Sequence, residues 1–211
     1  MFPQVHSHKW NHIIKISEND IFPTIFQLLR QAQPTAEIGC LYEWDGIKYL
    51  VDTLSTSHYA QTPEGKNYTD ELKNMACAYI KDKKPALAAI IFDNPDHVGH
   101  AIGHDTPEYY ANLKELDGYI GEIVQAAKEA GIYENTIFIV TSDHGGINKG
   151  HGGKNLEELE TPFVIAGKGI KKGVAIEQSM MQFDCASTIA RIFALDQPQV
   201  WIGRPMMEIF E

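Results

Sequence analysis

The chain has 211 residues, with 28 Asp and Glu against 18 Lys and Arg, for a formal net charge of −10. That length builds one good-sized domain with a real core, and residues 1–211 are read as a single domain. The acidic balance argues against a nucleic-acid partner, and the apolar runs are too short to span a membrane. Cys40, Cys77 and Cys185 lie far apart with no CxxC pair, so neither a disulfide scaffold nor a cysteine zinc site is expected. The opening MFPQVHSHKWNH lacks the basic-then-apolar pattern of a signal peptide, so the chain as written reads as cytoplasmic.

Residues 1–20 are polar with scattered aromatics. Pro23 suits the first turn of a helix running through Thr24–Leu29. Residues 36–42 read as a strand, and 68–81 as a helix with Thr69 or Asp70 near its start. The continuous apolar run 86–92 is of the kind buried on both faces of a parallel sheet. Thr106-Pro107-Glu108 opens a long helix with a hydroxyl cap, a first-turn proline and an acid at the positive dipole end. Its apolar positions Tyr109, Leu113, Leu116, Ile120, Ile123, Val124 and Ala127 follow the helical period, and Gly131 is placed to end it. Strands at 136–140 and 162–166 and a last helix at 184–193 complete the pattern. Strands alternating with helices predict an α/β fold, with a mainly parallel sheet flanked by helices.

In open α/β sheets, ligands sit outside the carboxyl ends of the strands. Two stretches rich in Asp and His fall there: Asp93-Asn94-Pro95-Asp96-His97-Val98-Gly99-His100 and Ser142-Asp143-His144-Gly145-Gly146, with His151 following among glycines. Carboxylate oxygen and neutral imidazole nitrogen are ordinary ligands of a divalent transition metal. Asp96 and His100 are four residues apart, so a turn or short helical segment aims both at one ion. Asp143 and His144 are adjacent and would diverge in a regular strand, but in a turn they can serve one ion. Taken singly, each residue has a plainer reading: an Asp after a strand caps a helix, and a loop His is solvated. Two such clusters at two strand ends are harder to explain that way. An acidic chain can hold a phosphate through such an ion, which supplies the local positive charge.

The ordered set PDHVGHAIG (95–103), TPEYY with LDGYIGEIVQAAKEAG, TSDHGG (141–146), KGHGG (149–153) and TPFVIAGKGIKKG (161–173) resembles the alkaline phosphatase superfamily, in its type I phosphodiesterase/nucleotide pyrophosphatase branch. That resemblance runs through most of the chain. It implies an alkaline-phosphatase-like core and two divalent metal ions, usually zinc, flanking the phosphorus of a phosphate-ester substrate. By the same resemblance Asp96, His100 and His151 are ligands of one ion, and Asp143 and His144 of the other. A Thr or Ser nucleophile after the first strand would carry the phosphoryl group, and water would then release it.

No apolar strand ending in Asp precedes residue 20, so the chain is expected to begin past the first strand, the nucleophile and one ligand of the second ion. The catalytic residue is therefore unassigned: Thr53, Ser55, Thr56 and Ser57 do not stand where the family pattern needs one. One bound zinc and impaired hydrolysis of phosphodiesters or phosphomonoesters are the expectations. A core lacking its first strand leaves open edges, which makes a homo-oligomer an expected state. The alternatives are a non-catalytic metal-binding or self-associating remnant, or a sulfatase-like or phosphoglycerate-mutase-like member of the superfamily. Full-length relatives are often periplasmic or secreted. His97, His104 and Lys154 are candidates to line the phosphate pocket, with plain solvent exposure as the alternative for each. His6, His8 and His12 offer an accessory metal site or simply solvated loop histidines.

Overall fold

The computed structural model describes residues 22–63 and 68–211, so His6, His8 and His12 and the segment before residue 20 lie outside the described residues. Helix α1 (Ile25–Ala32) starts at Thr24, whose Oγ1 accepts the Gln27 amide at 3.1 Å and donates to the buried Asp52 carboxylate at 2.7 Å. Strands β1 (Ile38–Tyr42), β2 (His58–Gln61) and β3 (Leu87–Ile91) form a three-stranded parallel sheet in the order β2-β1-β3. Between β2 and β3 runs helix α2 (Tyr68–Lys83). After β3 come a short helix α3 (Asp96–Ala101) and the long α4 (Pro107–Glu129). The Thr106 hydroxyl accepts the Tyr109 amide at 3.3 Å to cap α4, and Gly131 follows its end at a φ of +71°.

The period-two alternation of the strands splits the core between two faces. Leu41 of β1, with Ala88 and Ile90 of β3, packs against Leu72, Ala76 and Ile80 of α2 and Ile123, Ala126 and Ala127 of α4. Cys40 and Tyr42 of β1, with Ala89 and Ile91 of β3, meet Val51 and Ile47 on the other face. Gly39 has a local reason: a Cβ there would overlap the ring of Tyr79 on α2.

Strand β4 (Ile137–Thr141) and strand β5 (Phe163–Gly167) pair antiparallel as a separate two-stranded sheet. The parallel arrangement thus holds for the first sheet, and the second pair departs from it. A parallel pair needs a crossover over the sheet, whereas the loop between β4 and β5, with its one-turn helix α5 (Leu156–Leu159), brings the chain straight back alongside. Helix α6 (Gln182–Ile192) begins before the predicted residue 184. Asp184 sits inside its first turn, where its carboxylate accepts the amides of Met181 and Arg204, both at 2.8 Å. The C-terminal segment then folds back, and Ile170, Met206 and Ile209 form a third buried cluster with Ile137 and Ile165.

The two sheets share one helical cover, because Phe138 of β4 packs on the same cluster as Ile90 and Phe92. They are not hydrogen-bonded to each other: among the described residues β3 pairs only with β1, and β4 only with β5. Burial follows the pairing. β1, paired on both sides, is buried throughout, while every residue of β3 is only partly buried.

Candidate metal centre

The centre is built at the carboxyl ends of β3 and β4. Helix α3 carries Asp96 in its first turn and His100 in its last, and one turn of helix brings His100 Nε2 to 3.2 Å from Asp96 Oδ2. After β4 the chain leaves the extended conformation at once, which lets the adjacent Asp143 and His144 turn toward one another, with Nε2 and Oδ2 3.7 Å apart. The loop then closes a tight bridge between Ile147 and Gly150, with Asn148 at a φ of +53°, a conformation asparagine tolerates better than most residues.

That small bridge orients the imidazoles. The Lys149 carbonyl faces His100 Nδ1 at 2.9 Å, and the Asn148 carbonyl faces His104 Nδ1 at 3.2 Å. His144 Nδ1 faces the Gly145 carbonyl at 2.8 Å. A carbonyl only accepts, so each Nδ1 carries a proton, and in the neutral ring Nε2 is the atom free to bind a metal. The loop is itself tied to α3 by Lys149 Nζ, which donates to the Ala101 carbonyl at 2.9 Å.

His151 enters from the glycine-rich stretch and stacks on His144 with ring centroids 3.7 Å apart. Its Nε2 lies 3.1 Å from that of His100 and 3.7 Å from Asp96 Oδ1. Ligand atoms of Asp96, His144 and His151 all fall within 4.8 Å of one another. Burial lowers the His151 pKa first, and the neighbouring His144 adds to this, which favours the neutral form that binds metal. Asp96 Oδ1 is buried with no hydrogen-bond partner among the described residues, flanked at 3.7 Å by His151 Nε2 and by His104 Nε2. A carboxylate oxygen in this position among imidazole nitrogens is what a divalent cation satisfies, so the donor set fits such an ion.

Of the five expected donors, Asp96, His100, His144 and His151 lie together. His144 sits with Asp96 and His151, while the Asp143 side chain is 90% exposed at the margin. The other three candidates separate. The His104 side chain is 6% exposed, so plain exposure does not describe it; its ring fills a slot between Gly99 and Gly146, where a Cβ on either glycine would overlap it. His97 is largely exposed, 4.0 Å from Asp93 Oδ2 and edge-on to Tyr68. Lys154 lies exposed on the loop before α5.

Sequence reasoning missed Glu43, the residue directly after β1. It is buried, its Oε2 accepts the Asp93 amide at 2.7 Å, and its Oε1 has no partner among the described residues. Burial pushes its carboxyl up to about 7, with the Asp93 amide pulling the other way. The signal was present: an acid directly after an apolar strand, as at Asp93. A cavity of about 460 Å³ opens against β5, lined by Phe163, Ile165, Ile170, Ile176 and Met180, none of them in the donor cluster.

A curated relative, GPI ethanolamine phosphate transferase 3 of Schizosaccharomyces pombe, is 27% identical over 175 residues, covering 79% of this chain and 18% of its own. The human bis(5'-adenosyl)-triphosphatase ENPP4 is 29% identical over 105 residues, covering 48% of this chain and 23% of its own. The 2,3-bisphosphoglycerate-independent phosphoglycerate mutase of Cereibacter sphaeroides is 29% identical over 198 residues, covering 92% of this chain and 36% of its own. The chain thus spans only 18% to 36% of the length of these relatives. Among solved structures, Ps i-CgsB superposes with a TM-score of 0.67 at 18% identity, over 86% of this chain and 56% of that one. The 2-O GAG sulfatase BT1596 superposes with a TM-score of 0.65 at 15% identity, over 91% and 56%. These two likenesses establish an alkaline-phosphatase-like fold. The family model described as type I phosphodiesterase / nucleotide pyrophosphatase matches residues 29–187, and the chain belongs to that family, within the alkaline phosphatase superfamily.

Proposed function

We propose that this chain is the metal-holding part of a hydrolase of phosphate esters, acting on phosphodiesters ahead of phosphomonoesters. One observation carries the reading: Asp96, His144 and His151 bring ligand atoms within 4.8 Å of one another around a buried carboxylate oxygen that has no partner among the described residues. His100 joins them at 3.2 Å from Asp96, and Asp143 stands at the open side, where a second ion or the substrate would approach. When bound, a divalent ion, with zinc the best match to the donors, supplies Lewis acidity and neutralises phosphoryl charge. The residues of this chain hold and orient: the loop carbonyls of Gly145 and Lys149 fix the tautomers of His144 and His100. The exposed His97 and Lys154 stand as candidates for contacts to phosphate oxygens.

The purified chain is expected to bind about one zinc, and the His100→Ala variant substantially less. Near-zero metal in both would overturn the reading. Hydrolysis of an aryl phosphodiester is expected to be slow, because no hydroxyl nucleophile is assigned; rapid turnover would show that one stands unrecognised near the donors. Faster release from an aryl sulfate than from the phosphodiester would instead favour a sulfatase.

A second reading rests on a different observation, the edges of β3 and β4 that carry no strand partner among the described residues. On that reading the ligands serve stability, and the chain self-associates through its strand edges.

A further inference from the structure

The ladder between β1 and β3 breaks in a specific way. Glu43 continues it for one step, its amide donating to the Ile91 carbonyl at 3.2 Å. In a continued parallel ladder the next amide, that of Asp93, would reach the Glu43 carbonyl. Instead Gln61 Nε2 takes that carbonyl at 2.9 Å, and the Asp93 amide goes to the Glu43 carboxylate at 2.7 Å. A side chain thus replaces the backbone acceptor and lets the chain leave the sheet while its last amide stays satisfied. Asp93 is the root of α3, because its carbonyl accepts the His97 amide at 3.4 Å. Two further contacts brace the same exit: Tyr68 donates to Asp93 Oδ2 at 3.3 Å, and Asn94 Nδ2 to Thr69 Oγ1 at 3.1 Å.

We propose that Glu43 is a positioning residue of the metal centre: as acceptor of the Asp93 amide, its carboxyl sets the exit angle of β3 and so aims Asp96 and His100. The inference rests on the metal-binding reading above. What it requires of Glu43 is an acceptor oxygen at the right reach. A glutamine keeps that oxygen, an aspartate keeps the charge but is one methylene short, and a methionine keeps only the volume.

The test measures zinc affinity of the full chain by competition with a chromophoric chelator, alongside exchange of the Asp93 amide. Glu43→Gln should stay within about three-fold of wild type, while Glu43→Asp and Glu43→Met should weaken zinc roughly 10–100-fold, the usual cost of losing an outer-shell partner. Met206→Ala, which opens a buried site in the cluster beneath β5, should lower the melting temperature and leave zinc affinity unchanged. In the wild-type chain the Asp93 amide should exchange slowly. Wild-type affinity in Glu43→Asp or Glu43→Met, a Glu43→Gln as weak as Glu43→Met, or an Asp93 amide exchanging like an exposed one would each overturn the proposal. If the wild type binds no zinc, the metal reading fails, and the exchange measurement still decides whether Glu43 holds the turn.

Discussion

A Cβ at Gly146 would land on the ring of His104, and one at Gly99 would land on the same ring from the side of α3. The glycines around the centre therefore have separate reasons, since Gly145 must clear the backbone of α5 and Gly152 adopts a φ of +92°. Donor chemistry is legible in a sequence because it depends on residue type, and Asp96, His100, Asp143, His144 and His151 stood out for that reason. Glu43 did not, because its role depends on where a neighbouring strand ends. Its titration yields a prediction. The folded pKa of about 7 lies above the ordinary 4.5, so the native state holds an extra proton between those values. Stability from this group is full below about pH 4.5, declines as pH rises toward 7, and is level above that. Asp93 is the charged neighbour that adds to the burial effect, and Tyr68 packs alongside. Urea unfolding should show Glu43→Gln gaining on wild type as pH rises through this window, by on the order of 2 kcal/mol at the top. A difference that stays constant with pH would mean that Glu43 titrates normally.

The elements that were legible are those with local signals. The apolar run of β3, the Thr106 cap and the heptad-like stripe of α4 are written within a few residues each, and each lies within about two residues of its expected bounds. Strand β2 was not legible, since HYAQ is a strand only because Tyr59 and Ala60 meet Cys40 and Leu41 of β1. Helix α3 is too short to show a period, and the antiparallel sense of β5 is set by its partner. The same dependence on partners makes β3 and β4 reactive. Each is a partly buried apolar strand with pairing on one side only among the described residues. Such an edge recruits another strand. The chain is expected to sediment as a dimer or larger species at micromolar concentration. A wild-type chain that stays monomeric as concentration rises would remove the self-association reading.

At the scale of the molecule, the donors come from both sheets. Asp96 and His100 follow β3 of the parallel sheet, while His144 and His151 follow β4 of the antiparallel pair. Among the described residues no strand of one sheet pairs with a strand of the other, and the segments after β3 and β4 meet through the His104 amide on the Asn148 carbonyl at 2.6 Å, so an ion held by all four side chains would add to that link. Binding to the folded state alone stabilises by RT ln(1 + [L]/Kd), about 2.7 kcal/mol at a hundredfold excess over Kd. For a chain of this size that corresponds to roughly 5–10 °C in melting temperature. Chelation should therefore lower the melting temperature by about that amount, and zinc should restore it. The loss should not be uniform. Amides of β4 and β5, whose ties to the parallel sheet run through Phe138 packing and the loop contacts beside the donors, should gain exchange more than those of β1, which is paired on both sides. His151→Ala should reproduce the chelated state and be insensitive to further chelator. Equal loss of protection in both sheets would place the ion's effect within one sheet, and no change at all would mean that these four side chains gather without holding metal.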